Sequence, residues 1–330
     1  MNKLILVVAP AQKTDSIIKV IQDANAQHVV TGTENDEHRR AVWITVDPGQ
    51  RQAIMDKLQS VLGLNKNWQI FVLPIEAMIP APDRKDISEV STALPTTSRE
   101  ELYSGIESGV RIDRNFIILV LLSTIVAAVG LLQDNVAAII GAMVIAPLLG
   151  PNLALILGAA LGDRMLIGRS IKANLIGLSL TLALCLVLGT LLTIDLESHE
   201  LISRTDIGIE SVVLALASGA AAALSLLSGL SATLVGVMVA VALLPPAASF
   251  GLLLGAGQWQ LAIGALTLLA VNIVCVNLSG QLVFWSRGVK PRGWREQKNA
   301  RRSIQTMVIF WGFSLAILAA VIYFYNPTVF

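Results

Sequence analysis

The sequence predicts a polytopic α-helical membrane protein of about seven spans, built from two inverted three-helix repeats with proline-broken helices and preceded by an α+β domain of ferredoxin-like type. Three observations carry this reading. Hydrophobic residues make up 54% of the chain and charged residues only 14%, far from the balance of soluble proteins. The charges gather before Arg114 and in three later loops, leaving apolar runs of about 20 residues, the length that crosses a hydrocarbon core. The third is a stretch that occurs twice. Gly141-Ala142-Met143-Val144-Ile145-Ala146-Pro147-Leu148-Leu149-Gly150-Pro151-Asn152 returns as Gly236-Val237-Met238-Val239-Ala240-Val241-Ala242-Leu243-Leu244-Pro245-Pro246. Gly141, Met143, Val144, Leu148, Leu149 and Pro151 then fall on Gly236, Met238, Val239, Leu243, Leu244 and Pro246, and Leu157, Gly162 and Leu166 on Leu252, Gly257 and Leu261. A true internal repeat and the chance likeness of two proline-kinked apolar helices both remain open at this level.

Residues 1–80 read as a cytoplasmic domain of order βαββαβ. Lys3 to Ala9 is a short β-type run, and Thr14-Asp15-Ser16 offers a cap ahead of Ile17, Ile18 and Ile21 at helical spacing. Val29 to Thr33 and Ala41 to Val46 follow as strands. After Asp47-Pro48-Gly49, a helix carries Ile54, Leu58, Val61 and Leu62 on one face, and Trp68 to Leu73 closes the set. The loop from Pro10 to Asp15 and the helix start at Asp47 are candidate anion or nucleotide sites; a lid or packing role is the alternative. Met1 to Pro10 lacks the basic start and cleavage site of a signal peptide, so the amino terminus is expected in the cytoplasm.

Residues 81–112 form a Pro, Ser and Thr-rich linker with Pro82 and Pro95, then an amphipathic helix for the membrane surface. That helix opens on Ser98-Arg99-Glu100-Glu101, a capping box in form, and carries Leu102, Ile106, Val110 and Ile112. Residues 113–194 make the first membrane repeat, with spans at Phe116 to Leu132, Val136 to Leu161 and Ile171 to Ile194. Residues 195–210 are an acidic loop assigned to the outside. Residues 211–286 make the second repeat, with spans at Val212 to Leu227, Ser231 to Leu254 and Leu261 to Trp285. Residues 287–303 are a basic loop, and 304–330 hold the final span, Thr306 to Tyr325. Arg164, Arg169 and Lys172 in one loop and Arg287, Lys290, Arg292, Arg295, Lys298, Arg301 and Arg302 in the other place both on the cytoplasmic side, with the carboxyl terminus external. The basic loop beside a membrane needs no nucleic acid to explain it.

Pro147 and Pro151 remove backbone donors, Gly150 weakens the helix between them, and Pro245-Pro246 does the same in the second copy. Both helices are therefore expected to break near mid-membrane, where freed backbone is tolerated only if protein or a water-lined cavity meets it. Discontinuous helices in inverted repeats bind substrate or ions in many secondary transporters. Asn152, Asn174, Asn272 and Asn277 are the few polar residues inside spans, with Asn174 and Asn272 at nearly matching positions; they line a path or glue helices together. Asp134 beside Asn135 is a cation or proton ligand, or a plain cap. The candidate pathway is therefore Asp134, Asn135, Pro147, Gly150, Pro151, Asn152, Asn174, Pro245, Pro246, Asn272 and Asn277. Ser218 to Ser225 reads as a small-residue packing face.

No cofactor is expected and no metal site, since His28, His38 and His199 are scattered and Cys185 and Cys275 lie in apolar segments. No catalytic residues are assigned, because no nucleophile and base sit at matching places in the spans. The expected partners are the lipid bilayer, further copies in a homo-oligomer, and an unidentified small solute or ion. The leading reading is a transporter or channel with a cytoplasmic regulatory domain. Its rival is a non-transporting membrane scaffold or sensor whose soluble domain binds a ligand or partner.

The segment from Leu131 to Gly162, with Gln133-Asp134-Asn135, Gly141-Ala142-Met143, Ala146-Pro147-Leu148 and Gly150-Pro151, resembles the bacterial and archaeal membrane proteins grouped as domain of unknown function 389, also called the uncharacterised hydrophobic domain. The similarity extends over about Arg111 to Trp285. The resemblance implies an integral inner-membrane protein of unassigned activity, and supplies neither substrate nor catalytic residues.

Overall fold

The computed structural model describes residues 3–24, 27–46, 50–63, 67–75, 99–228, 232–287, 289 and 294–325. Two compact units divide near Arg99/Glu100. The first contains β1 (Lys3–Pro10), α1 (Thr14–Gln22), β2 (Gln27–Glu34), β3 (Arg39–Val46), α2 (Arg51–Leu62) and β4 (Gln69–Pro74). The four strands form one sheet in the order β2-β3-β1-β4, antiparallel at every junction. Alternation decides which side is core. Ile5 stands opposite Ile44 and Val72, and Val7 opposite Val42 and Ile70. This face packs against Ile17, Ile21, Ile54, Leu58 and Leu62. The other face sets Leu6 between Trp43 and Phe71, and Phe71, Leu73 and Val30 stay exposed.

Two local expectations change here. Thr14 is the first residue of α1 rather than its cap, because a 3₁₀ turn at Ala11–Lys13 precedes it and its hydroxyl donates back to the Ala11 carbonyl, 2.7 Å away. In the candidate anion loop, the Lys13 ammonium is turned onto the end of α2. It donates to the carbonyls of Val61 (3.1 Å) and Leu62 (2.6 Å), the last groups of a helix that lack partners and carry partial negative charge. Asp47-Pro48-Gly49 and the linker through Ser98 lie outside the described residues.

The second unit begins with α3 (Arg99–Ser108) and continues with α4 (Arg114–Leu132), α5 (Val136–Ile145), α6 (Leu149–Leu161) and α7 (Arg164–Leu191). The short α8 (His199–Ile202) leads to α9 (Ile209–Leu227), α10 (Ala232–Gly255), α11 (Trp259–Ser286) and α12 (Trp294–Tyr325). Side-chain caps set several starts: Asp113 accepts from the Phe116 amide, Asn135 from Ala138, and Asp163 from Met165 and Leu166. The Asp163 cap explains why α7 starts at Arg164, earlier than apolar content alone indicates.

Helix length and composition qualify α4, α7, α9 and α11 as membrane spans, and the pair α5 and α6, bent by 55°, as a fifth if it is one span. Shorter apolar helical stretches occur at Val239–Gly255 within α10 and Ile304–Ala320 within α12. Among the described residues the count by this measure is four or five, against the seven expected. Two pairs of helices share lengths: α4 and α9 have 19 residues each, and α7 and α11 have 28 each. Their starts fall at residues 114 and 209 and at residues 164 and 259, both 95 apart. Gly162 and Gly257, also 95 apart, turn the chain with φ of 71° and 73°, which glycine adopts without steric cost.

Candidate functional site at the helix break

The first proline pair breaks its helix as expected. Ala146, the residue before Pro147, leaves the helix with φ −62° and ψ 123°, since a following proline ring disfavours the helical region. Helix α6 resumes at Leu149 with Pro151 third in its first turn, where an amide has no intrahelical acceptor and its absence costs little. Every residue from Pro151 to Ala160 is buried. An apolar helix covered on all faces is an interior element, and α6 packs on α7, α11 and α12.

Asn152 lies in that first turn, 3% exposed. Its side-chain amide donates to the Leu148 carbonyl (2.8 Å) and to Asn174 Oδ1 on α7 (3.1 Å). Both donors of the amide are thus used, and one of them bridges the break to the next span. Gly150 is the other fixed point, because a β-carbon there would strike the backbone of Gly109. The residues after α3 therefore sit directly against the break.

The second proline pair does not break its helix. Helix α10 runs through Pro245 and Pro246, which corrects the expectation of a second discontinuity. Pro246 cannot donate to the Ala242 carbonyl four residues earlier. Asn272 of α11 does so instead, with Nδ2 2.9 Å from that oxygen. The freed acceptor is met from a neighbouring helix, and the helix persists.

Helix α3 packs its apolar face on the helical unit. Leu102, Ile106 and Val110 are buried, Tyr103 donates to Asp163 Oδ2 at 2.9 Å, and Arg169 meets Glu107 at 3.1 Å. Burial, then the Asp163 carboxylate, push the Tyr103 phenol up to about 12 from 10.0. A raised value means that the protonated phenol is favoured in the folded protein, so the contact contributes fully below pH 10 and is lost as pH rises toward 12. Tyrosinate absorbance should show one of the three tyrosines titrating late, and Tyr103→Phe should remove that late step. A late step that persists in the variant, with the loss falling on an ordinary one, rules the contact out.

Asp134 sits at φ 54°, a left-handed conformation that aspartate tolerates better than most residues. Its Oδ1 accepts from the Glu200 amide (2.6 Å), and the Ser198 hydroxyl lies 3.1 Å away. These donors hold its carboxyl below the usual range, the Glu200 amide first. Asp134 thus pins the start of α8, while Asn135 caps α5. Asn277 on α11 donates to the Ile273 carbonyl (2.8 Å). The candidates consequently fall into separate places: Pro147, Gly150, Pro151, Asn152 and Asn174 together; Pro245, Pro246 and Asn272 together; Asp134 and Asn135 at a helix turn.

Several polar residues were not singled out by sequence reasoning. Thr124 on α4 meets Thr181 on α7 at 3.1 Å. Ser249 Oγ, Asn277 Oδ1, both amide atoms of Gln281, Trp311 Nε1 and Arg204 Nε are buried without a hydrogen-bond partner in this unit. Of these, Asn277 belongs to the candidate pathway read from the sequence, and Gln281 carried the same readable signal, a primary amide within a largely apolar span. No group of three or more His, Cys, Asp or Glu side chains able to hold a metal ion occurs among the described residues.

Contacts recur at the same 95-residue offset as the helix starts. Thr124 meets Thr181, and Gly219 lies against Val276. More telling is an exchange between halves: Cys185 of α7 touches the position of Gly251 on α10, while Gly280 of α11 touches Ile156 on α6. Adding 95 to 185 and 156 gives 280 and 251, so each half offers the other the same pair of positions.

Membrane-capable helices, one of them broken around a buried asparagine bridge, define the class: a polytopic helical protein of membrane type with an amino-terminal sheet unit. The chain belongs to the family described as domain of unknown function (DUF389), whose match covers residues 143–278. It is 35% identical over 273 residues to an uncharacterized protein of Methanocaldococcus jannaschii, spanning 82% of this chain and 84% of that protein. No solved structure matches.

Proposed function

We propose that the protein is a transporter or channel for a small solute or ion, embedded in the bacterial or archaeal cytoplasmic membrane. Its seven spans form two inverted three-span repeats and a last helix. The observation that carries this reading is the bent pair α5 and α6, with α6 buried on every face and Asn152 bridging to Asn174 beside the break. Broken helices of this kind, held inside protein, are where transporters place their binding sites. The shared helix lengths, the 95-residue offsets and the exchanged contacts support the repeat. Three spans per repeat make the second copy inverted.

The sheet unit, whose βαββαβ order and β2-β3-β1-β4 sheet support a ferredoxin-like domain, lies in the cytoplasm and regulates. In sequence the chain leads on through residues 76–98 to α3, and Gly109 just after α3 lies against Gly150, so α3 and the residues after it are the segment through which regulation reaches the break. The carboxyl terminus is external, the protein assembles as a homo-oligomer, and no catalytic step is involved.

The test is flux through the full chain reconstituted in liposomes. Asn152→Leu and Pro151→Ala should abolish flux while the protein stays folded, at a stability cost of no more than about 2 kcal/mol, the upper range for interhelical hydrogen bonds in membranes. A scaffold would show no wild-type flux, and the substitutions would change stability or nothing.

A further inference from the structure

Gln281 and Asn277 are one helical turn apart on α11, hence on one face. They are 1% and 0% exposed. Asn277 uses its donor on its own helix and leaves Oδ1 unmet, while Gln281 leaves both Nε2 and Oε1 unmet. Three unmet amide atoms on one buried face are what native interiors avoid, and in a hydrocarbon surround each is costlier still.

The fold itself does not require amides there. The 95-residue offset places Leu182 and Leu186 of α7 at the corresponding positions in the first half. The two environments differ: Leu186 is exposed and Gln281 buried, and α12, which packs on α11 and α6, has no counterpart in the first half. The amides therefore appear only where the second half is enclosed.

We propose that Asn277 and Gln281 form a binding site for a small uncharged solute that offers hydrogen-bond donors and an acceptor together, of the amide, urea or hydroxyl class, with water as the smallest member. This deepens the transport reading and rests on it. The chemistry follows from the free groups. Oδ1 and Oε1 need donors, and Nε2 needs an acceptor. A bare cation leaves Nε2 unmet, and an anion is repelled by the two oxygens. Among the described residues, the buried polar side chains of this unit, including Asn152, Asn272, Ser249 and Thr124, are neutral as well, so none of these is built to balance an ion's charge.

The experiment uses the full chain in liposomes, followed by light scattering under osmotic gradients of urea, acetamide and glycerol, with sucrose to read water alone. Parallel arms follow potassium and chloride flux. Gln281→Leu and Asn277→Leu are compared with wild type, each with its unfolding temperature. The expected result is wild-type permeation of at least one uncharged solute or water, reduced at least about fivefold by each leucine, the equivalent of one lost hydrogen bond. Unfolding temperatures should hold or rise, since an apolar replacement removes unmet polar groups. Loss of a solute arm identifies that solute class, and loss of the sucrose arm alone identifies water. Wild-type ion flux that neither variant changes, with no permeation of any uncharged solute or water, would overturn the site while leaving transport standing. Lowered unfolding temperatures with unchanged permeation would make the amides structural. No wild-type flux in any arm sinks both readings.

Discussion

Gly189→Leu is expected to destabilise the helical unit by about 3 kcal/mol or more, the upper end of overpacking costs. Helices α7 and α10 cross where Gly189 lies against the Leu252 carbonyl and Gly255 against the Leu186 carbonyl and Gly189. Gly251, four residues before Gly255, meets Cys185, four residues before Gly189. Small residues at this spacing on both partners let backbones approach, which is how helices associate where burial of apolar surface gives no net drive. Because the obstruction at Gly189 is backbone, no rotamer change relieves it; the helices must part. Gly168 on the same α7 has open space around it, so Gly168→Ala should be neutral or stabilise by up to about 1 kcal/mol through helix propensity. Denaturant unfolding of both variants in detergent tests the pair. Equal effects at the two positions would mean that the crossing is not close-packed.

Much of this architecture is written in local pattern. The alternation at Ile5 and Val7, the caps at Asp113, Asn135 and Asp163, and the break at Pro147 each depend on residues within one turn of the place they act. What was not legible depends on distant partners. Pro245-Pro246 looks as disruptive in sequence as Pro147 to Pro151, yet whether the chain unwinds is decided by Asn272 on another helix. The docking of α3 through Gly109, Tyr103 and Glu107 is likewise invisible to periodicity, which reports a buried face without naming what covers it. The Asn152 to Asn174 bridge lies between these cases. Both residues stood out as polar within apolar runs, but the pairing followed only from the bend that brings the first turn of α6 against α7.

The link between Asn272 and Pro246 predicts a particular non-additivity. In the wild type, Asn272→Leu leaves the Ala242 carbonyl without a donor and should cost about 1–3 kcal/mol, the penalty for an unmet buried acceptor. Pro246→Ala restores a backbone amide in register with that carbonyl, four residues on. In that background the Asn272 side chain is no longer needed, and Asn272→Leu should cost little. The double-mutant cycle therefore has an interaction energy of about 1–3 kcal/mol between residues on different helices. A purely steric role for Asn272 gives a different outcome, since leucine fills a similar volume and its cost would be the same with or without Pro246. The cycle also bears on function. If the proline exists to free a carbonyl that Asn272 can release, Pro246→Ala should leave the protein folded and at least as stable while flux falls. If the proline is only tolerated, the alanine variant should transport as well as the wild type.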